Sequence, residues 1–309
     1  MVTRQLESSL RGKRVLIVPD AEGWDLFNAF TELSEAMREH VDVKIRIVCG
    51  RRVSRGGSDL AVLADWRQPV QLVDRPQEWI CGVTNWAWGP TGHHDGEDEP
   101  CPSAISRLKE FRACYATTHN LHAALGDVPI CRYVPFGVDT KSFYPKPRPI
   151  GGDLVVGWCG RPGFIKRQEV VESAVSILDG VVLRSLKFGN GASPSKQELV
   201  DFYQGLDVLV SASRADGLSR QLKEAAACGV PLVSTSAGAA DTLINPHVSG
   251  LFFDGSVTDL VEKLVYLRDN RLALYEMRAR VLARVAQYDV SFVALRWIRF
   301  FEECLSVVR

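Results

Sequence analysis

The chain has 309 residues, 46% hydrophobic and 24% charged, and its 37 Lys and Arg balance 37 Asp and Glu. That length accommodates two ordinary domains with ample core, and a net charge of zero gives no whole-chain field that would draw a polyanionic partner. No apolar run approaches the ~20 residues that cross a bilayer, Met1–Glu7 lacks a signal-peptide core, and the eight cysteines show no C-x-x-C pairing. A cytoplasmic chain with neither a zinc site nor a disulfide framework is therefore expected.

In the first half, Arg14–Val18 reads as a strand that breaks at Pro19. Asp20-Ala21-Glu22-Gly23 then leads into an amphipathic helix with Leu26, Phe27, Phe30, Leu33 and Met37 at helical spacing. Further strands are predicted at 43–48, 70–73, 79–84, 114–117 and 131–134. Strands alternating with helices argue for a parallel sheet covered on both faces. Residues 1–145 carry 17 Lys and Arg against 19 Asp and Glu, so this half is not basic. Its one basic cluster, Arg51, Arg52 and Arg55 beside Gly56 and Gly57, is either a phosphate or acceptor contact or a solvated loop. The acidic run Asp95–Glu99 sits in a Pro/Gly-rich loop and reads as solvated, and His119 with His122 lacks the third ligand a metal site needs.

Tyr144–Asp153 contains three prolines and two glycines, which leave no regular structure, and reads as an interdomain linker. A second series begins with the strand Leu154–Trp158 and the turn Cys159-Gly160-Arg161-Pro162-Gly163, followed by a helix over 168–178. Later strands are predicted near 182–188, 206–211, 231–235 and 251–253, with helices near 258–268 and 271–286 and a last amphipathic one from Ser291. Within this series, residues 206–211 form an apolar strand that enters the turn Ser213–Ser219. A helix from Arg220 follows, closed by Gly229 and Pro231, a glycine stop before a residue that cannot continue a helix. The next strand runs into Ala237-Gly238-Ala239-Ala240, and ligand chemistry is expected at the carboxyl ends of such strands.

Asp216 and Glu224 stand eight apart, one before the helix and one two turns inside it, so two carboxylates can address two parts of one elongated ligand with helix-start N–H groups between them. The arrangement resembles the acidic-x7-Glu motif of retaining family 4 glycosyltransferases, whose fold is called GT-B, and the resemblance covers nearly all of the second half. Phe136–Pro145 also resembles that family's N-G-V-D-x-x-x-F-x-P segment, with Phe136 in place of the usual Asn. The implied fold is α/β GT-B: two Rossmann-like parallel-sheet lobes with a cleft between them and a C-terminal helix crossing back to the first. Residues 1–145 would be a trimmed acceptor lobe, with helix 288–309 packing back on it, and 146–287 the nucleotide-sugar donor lobe.

By the same resemblance, Asp216 and the amides of Gly217, Leu218 and Ser219 hold the donor sugar, and Glu224 holds the nucleotide ribose. An Asp in place of the usual Glu leaves sugar identity open. Arg161 and Lys166 would stabilise the departing diphosphate, and Gly23 and Gly238 would let backbone approach the donor. Candidate acceptor-side residues are Glu22, Trp24, His93, His94 and the three loop arginines.

The implied activity is a retaining, metal-independent transfer of a hexose, glucose from UDP-glucose being the first expectation, to a hydroxyl acceptor, with no cofactor. Polysaccharide, lipid and small-molecule acceptors stay open, as does a modified base such as hydroxymethylcytosine in DNA. So do an epimerase or phosphorylase on the same scaffold, and a non-catalytic nucleotide-sugar-binding subunit. Oligomeric state is not legible.

Overall fold

The computed structural model describes residues 8–22, 25–84, 102–126, 128, 130–149, 151–189 and 194–307. They divide into two compact units, Met1–Gly137 with Val290–Arg309, and Val138–Asp289.

The first unit runs β1 (Arg14–Val18), α1 (Asp25–His40), β2 (Lys44–Ile47), β3 (Arg52–Val53), β4 (Leu60–Leu63), β5 (Gln71–Leu72), β6 (Ile80–Val83), α2 (Pro102–Leu108), β7 (Ala113–Ala116), α3 (His119–Ala124) and β8 (Cys131–Tyr133). Six of these strands form one sheet in the order β2-β1-β4-β6-β7-β8, parallel throughout. Central strand β4 was not expected from the sequence. All four of its residues are buried, and so short an apolar run has no alternation to tell strand from helix. The strand expected at 70–73 is instead the two-residue β5, which pairs only with β3, outside the main sheet.

The second unit runs β9 (Leu154–Gly160), α4 (Gln168–Ser176), β10 (Val181–Lys187), α5 (Lys196–Gln204), β11 (Val208–Ser211), α6 (Arg220–Ala227), β12 (Leu232–Ser234), α7 (Ala240–Leu243), β13 (Gly250–Phe252), α8 (Val257–Asp269) and α9 (Arg271–Val285). Its sheet has the order β10-β9-β11-β12-β13 and is again parallel. Leu209 and Leu232 face one buried cluster with Tyr203 and Leu222, while Val208, Val210 and Val233 face another with Trp158 and Leu264. Burial on both faces explains why these strands read as continuous apolar runs. Helix α6 ends as its glycine announces: Gly229 takes φ +70°, its N–H reaches Ala226 O and that of Val230 reaches Ala225 O, both at 2.9 Å. These are the paired bonds of a Schellman cap.

The chain finishes in α10 (Val290–Ser306), which belongs to the first unit. The Trp297 indole N–H donates to Pro135 O at 2.9 Å, and the ring stands edge-on to Tyr115 and Phe30 at 4.7 and 5.4 Å. Phe136 fills the same aromatic cluster, 4.9 Å from Phe30 and 1% exposed. At this position, then, the departure from the family's Asn serves packing of the first unit.

Candidate functional site

The carboxyl ends of the three central strands of the second unit converge on Asp216. After β9, Lys166 donates from Nζ to Asp216 Oδ2 at 2.9 Å. After β11, the turn folds back so that Ser219 N–H reaches Asp216 Oδ1 at 2.9 Å, and Gln221, in the first turn of α6, donates to Oδ2 at 2.8 Å. After β12, Gly238 lies so close that a Cβ there would stand 2.9 Å from Asp216 Cβ and 2.0 Å from Ser219 Oγ. The two loops are stitched by Ala239 N–H to Ser219 Oγ at 2.8 Å and by the Thr235 hydroxyl to Ser213 O at 2.6 Å. Gly238 at φ +71° and Ser219 at φ +50° both sit in the left-handed region, natural for the glycine and unusual for the serine.

Burial alone would raise the Asp216 carboxyl, but the Lys166 ammonium and the bonds from Ser219 and Gln221 outweigh it and hold the group below the usual carboxylate range. Asp216 is thus an ionised carboxylate with both oxygens engaged. Lys166 is a quarter exposed and keeps further N–H donors for a ligand.

Glu224 is 5% exposed. Its Oε2 accepts from the Tyr203 hydroxyl at 2.9 Å, and Oε1 lies 3.3 Å from an Arg220 guanidinium nitrogen. Sequence reasoning found neither Tyr203, which comes from α5, nor Gln221. It also missed Lys223, 1% exposed, whose Nζ donates to Leu218 O at 2.9 Å within the turn itself. Tyr203 leaves no local signature, because it meets the motif only through folding, whereas Gln221 and Lys223 lie between Asp216 and Glu224, where helical spacing does not tell a solvated polar side chain from one turned inward.

The remaining expected residues fall as follows. Gly217, Leu218 and Ser219 form the turn around Asp216, and Gly238 abuts it. Arg161 is exposed after β9, its side-chain carbons within contact reach of Gly189. In the first unit, Glu22 is exposed after β1. Gly23, Trp24, His93, His94 and Asp95–Glu99 lie outside the described residues. Arg51 and Arg52 are exposed, whereas Arg55 Nε is 3.3 Å from Glu78 Oε2 and its backbone N–H is bound by Asp74. The chain then returns to the amino ends of the strands, where Asp59 N–H bonds Arg14 O. His119 stacks on Tyr133 and His122 lies 3.3 Å from Cys131 O. Among the described residues no cluster of three potential metal ligands occurs, and no helix is long and apolar enough to cross a membrane.

Residues 166–270 match the family model of glycosyl transferases group 1. A GDP-mannose-dependent alpha-mannosyltransferase of Corynebacterium glutamicum is 28% identical over 205 residues, covering 59% of this chain and 46% of that protein. A D-inositol 3-phosphate glycosyltransferase of Catenulispora acidiphila is 29% identical over 110 residues, 35% and 26% of the two chains. The chain spans less than half the length of these curated relatives. Among solved structures, sucrose-phosphate synthase from Thermosynechococcus elongatus superposes with a TM-score of 0.74 at 12% identity, covering 94% of this chain and 98% of that one. Anabaena HepE in complex with UDP-glucose gives 0.72 at 12% identity, covering 94% and 100%. The fold is GT-B, and the Asp216 turn lies within the stretch that matches the glycosyl transferases group 1 model.

Proposed function

We propose that this protein is a retaining glycosyltransferase that moves a hexose from a nucleoside-diphosphate donor to a hydroxyl acceptor without a metal ion. The observation that carries this reading is the convergence of three strand exits on Asp216, inside the segment that matches the glycosyltransferase model. A parallel α/β sheet binds ligands at that edge. The relatives are named for GDP-mannose and for D-inositol 3-phosphate, and structural neighbours were captured with UDP or UDP-glucose. A nucleoside-diphosphate hexose is what the named donors have in common.

In this reading the turn at 216–219 seats the sugar and Glu224 meets the ribose. Arg161 and Lys166 take up charge as the diphosphate departs, and the leaving oxygen assists deprotonation of the incoming hydroxyl on the same face. Cations aimed where charge develops act more strongly in a water-excluded site than in bulk water. The seven cysteines among the described residues are all free, six of them buried, which fits the reducing cytoplasm.

The test is release of UDP from UDP-glucose and of GDP from GDP-mannose by the purified protein, with and without a panel of hydroxyl acceptors. Arg161→Ala and Lys166→Ala should each lower turnover roughly a hundredfold while the fold persists, the scale of single transition-state charge contacts. EDTA should leave the rate unchanged. Binding of nucleotide without release under any acceptor would support the non-catalytic reading, and strict dependence on a divalent ion would remove the metal-free mechanism.

A further inference from the structure

Lys223 is a full-length lysine in the interior of the second unit, 1% exposed. Burying a cation is costly unless something inside requires it. The Nζ has two neighbours of note. It donates to Leu218 O at 2.9 Å, and it lies 5.2 Å from the centre of the Tyr288 ring, within cation–π reach. Leu218 stands in the middle of the turn that Asp216 closes on its other side through Ser219 N–H. The turn is thus gripped from both ends, by a carboxylate on an N–H and by an ammonium on a carbonyl. Ser219 holds φ +50° at the same place, a conformation a non-glycine residue keeps only when its surroundings over-determine it.

We propose that Lys223 is a positioning residue for the donor turn: its ammonium pins the Leu218 carbonyl, fixes the direction of the 217–219 amides, and couples donor affinity to the protonation of this one buried amine. The inference rests on the reading of that turn as donor-binding.

The groups facing Lys223 are Asp216 from the turn, Arg220 and Glu224 on its own helix, and the Tyr288 ring from the segment after α9. Lys166 stands behind Asp216 and Tyr203 behind Glu224. Burial pushes the Lys223 ammonium down to about 7, with Asp216 and Glu224 opposing and Arg220 assisting. Between about pH 7 and its ordinary value the unfolded chain therefore binds more protons than the native one, and this group makes stability rise with pH. The hydrogen bond to Leu218 O runs the other way, because an ammonium donates roughly twice as strongly as a neutral amine. Rising pH should stabilise the fold and loosen the turn over the same range, an opposition that a purely structural lysine would not produce.

The experiment titrates UDP and GDP separately into wild type, Lys223→Met and Lys223→Gln from about pH 6.5 to about pH 9, with melting temperature and amide exchange of residues 217–219 followed in parallel. Wild-type affinity should fall about fivefold across the range, while the melting temperature of wild type rises relative to that of Lys223→Met, a comparison in which the buried thiols and Tyr203 that both share cancel. In both variants the pH dependence of affinity should vanish. Lys223→Met should exchange the turn amides about tenfold faster, with α6 itself still protected. Lys223→Gln retains a neutral donor and covers the case in which the Met variant fails to fold. If neither nucleotide binds wild type, the donor reading fails, and amide exchange corrected for its intrinsic pH dependence judges Lys223 alone. The same pH dependence of affinity and of turn exchange in wild type and variants would overturn the proposal.

Discussion

Asp216 concentrates the electrostatics of the second unit, since one carboxylate receives an ammonium, a backbone N–H and a side-chain amide. Its folded value is held below the ordinary one, so the stabilisation it contributes is fully present above about pH 4 and is lost as pH falls through the folded value. Thermal melts of wild type and Asp216→Asn should therefore diverge above pH 4 and converge in acid; parallel curves would show that the network contributes no pH-dependent stability. Gly238 offers a sharper test, because an added Cβ meets Ser219 Oγ at 2.0 Å. Gly238→Ala should cost about 1–3 kcal/mol from overpacking alone, and more because the residue sits at φ +71°. The steric part should shrink when Ser219 is replaced by Gly, which removes the blocking oxygen. A double-mutant cycle in urea measures that coupling, and additive costs would mean the two loops are not in contact in solution. For Glu224, conversion to Gln keeps the shape but weakens any charge-assisted bond to ribose hydroxyls, an expected loss of about 1.5–3 kcal/mol in nucleotide affinity. Calorimetry with UDP and GDP reads it, and unchanged affinity for both would remove Glu224 from the site.

At the level of elements, legibility followed the strength of the local signal. Helix α6 was readable because Gly229 and Pro231 punctuate it and the Schellman bonds appear where a glycine stop requires them. Strands β9 and β11 were readable as long apolar runs entering glycine-bearing or polar turns. Strand β4 was not, since Leu60–Leu63 becomes a strand only because β1 and β6 pair with it on either side. Of the site, Asp216 and Lys166, both named from the sequence, meet at one turn, whereas Lys223 reaches that turn from the buried side of α6 and Tyr203 reaches Glu224 from another helix, α5. Sequence spacing along one element cannot announce a partner on another. Phe136 makes the same point in the first unit, where a departure from a family pattern turns out to fill an aromatic core. Phe136→Ala should destabilise the protein by about 3–5 kcal/mol, the cost of emptying a buried aromatic position. Denaturant unfolding followed by tryptophan fluorescence measures it, and a cost under about 1 kcal/mol would mean the cluster repacks.

For the whole molecule, the sequence led to two parallel α/β units, because alternating strand and helix signals run through both halves, but it did not lead to the acceptor. The second unit carries a spaced motif, while the first unit's expected contacts are scattered over loops, and several lie outside the described residues. Charge bears on the acceptor more directly. Net charge is zero, and a protein that binds duplex DNA must bring several cations to the phosphates, giving an affinity that falls steeply with salt. The loop Arg51–Gly57 is the one basic concentration in the first half, yet Arg55 is committed to Glu78 and Asp74, and the chain beyond it returns to the amino ends of the strands. That leaves Arg51 and Arg52 exposed, so this loop supplies about two phosphate contacts and contributes about −2 at most to the slope of log affinity against log salt. Labelled duplex followed by fluorescence anisotropy should accordingly show at most a shallow salt-dependent contribution from this loop, and Arg51→Ala/Arg52→Ala/Arg55→Ala should leave nucleotide affinity untouched, since the Asp216 turn is in the other unit. A steep salt dependence that becomes shallower in the triple variant would reverse this and make a nucleic-acid hydroxyl the acceptor to pursue.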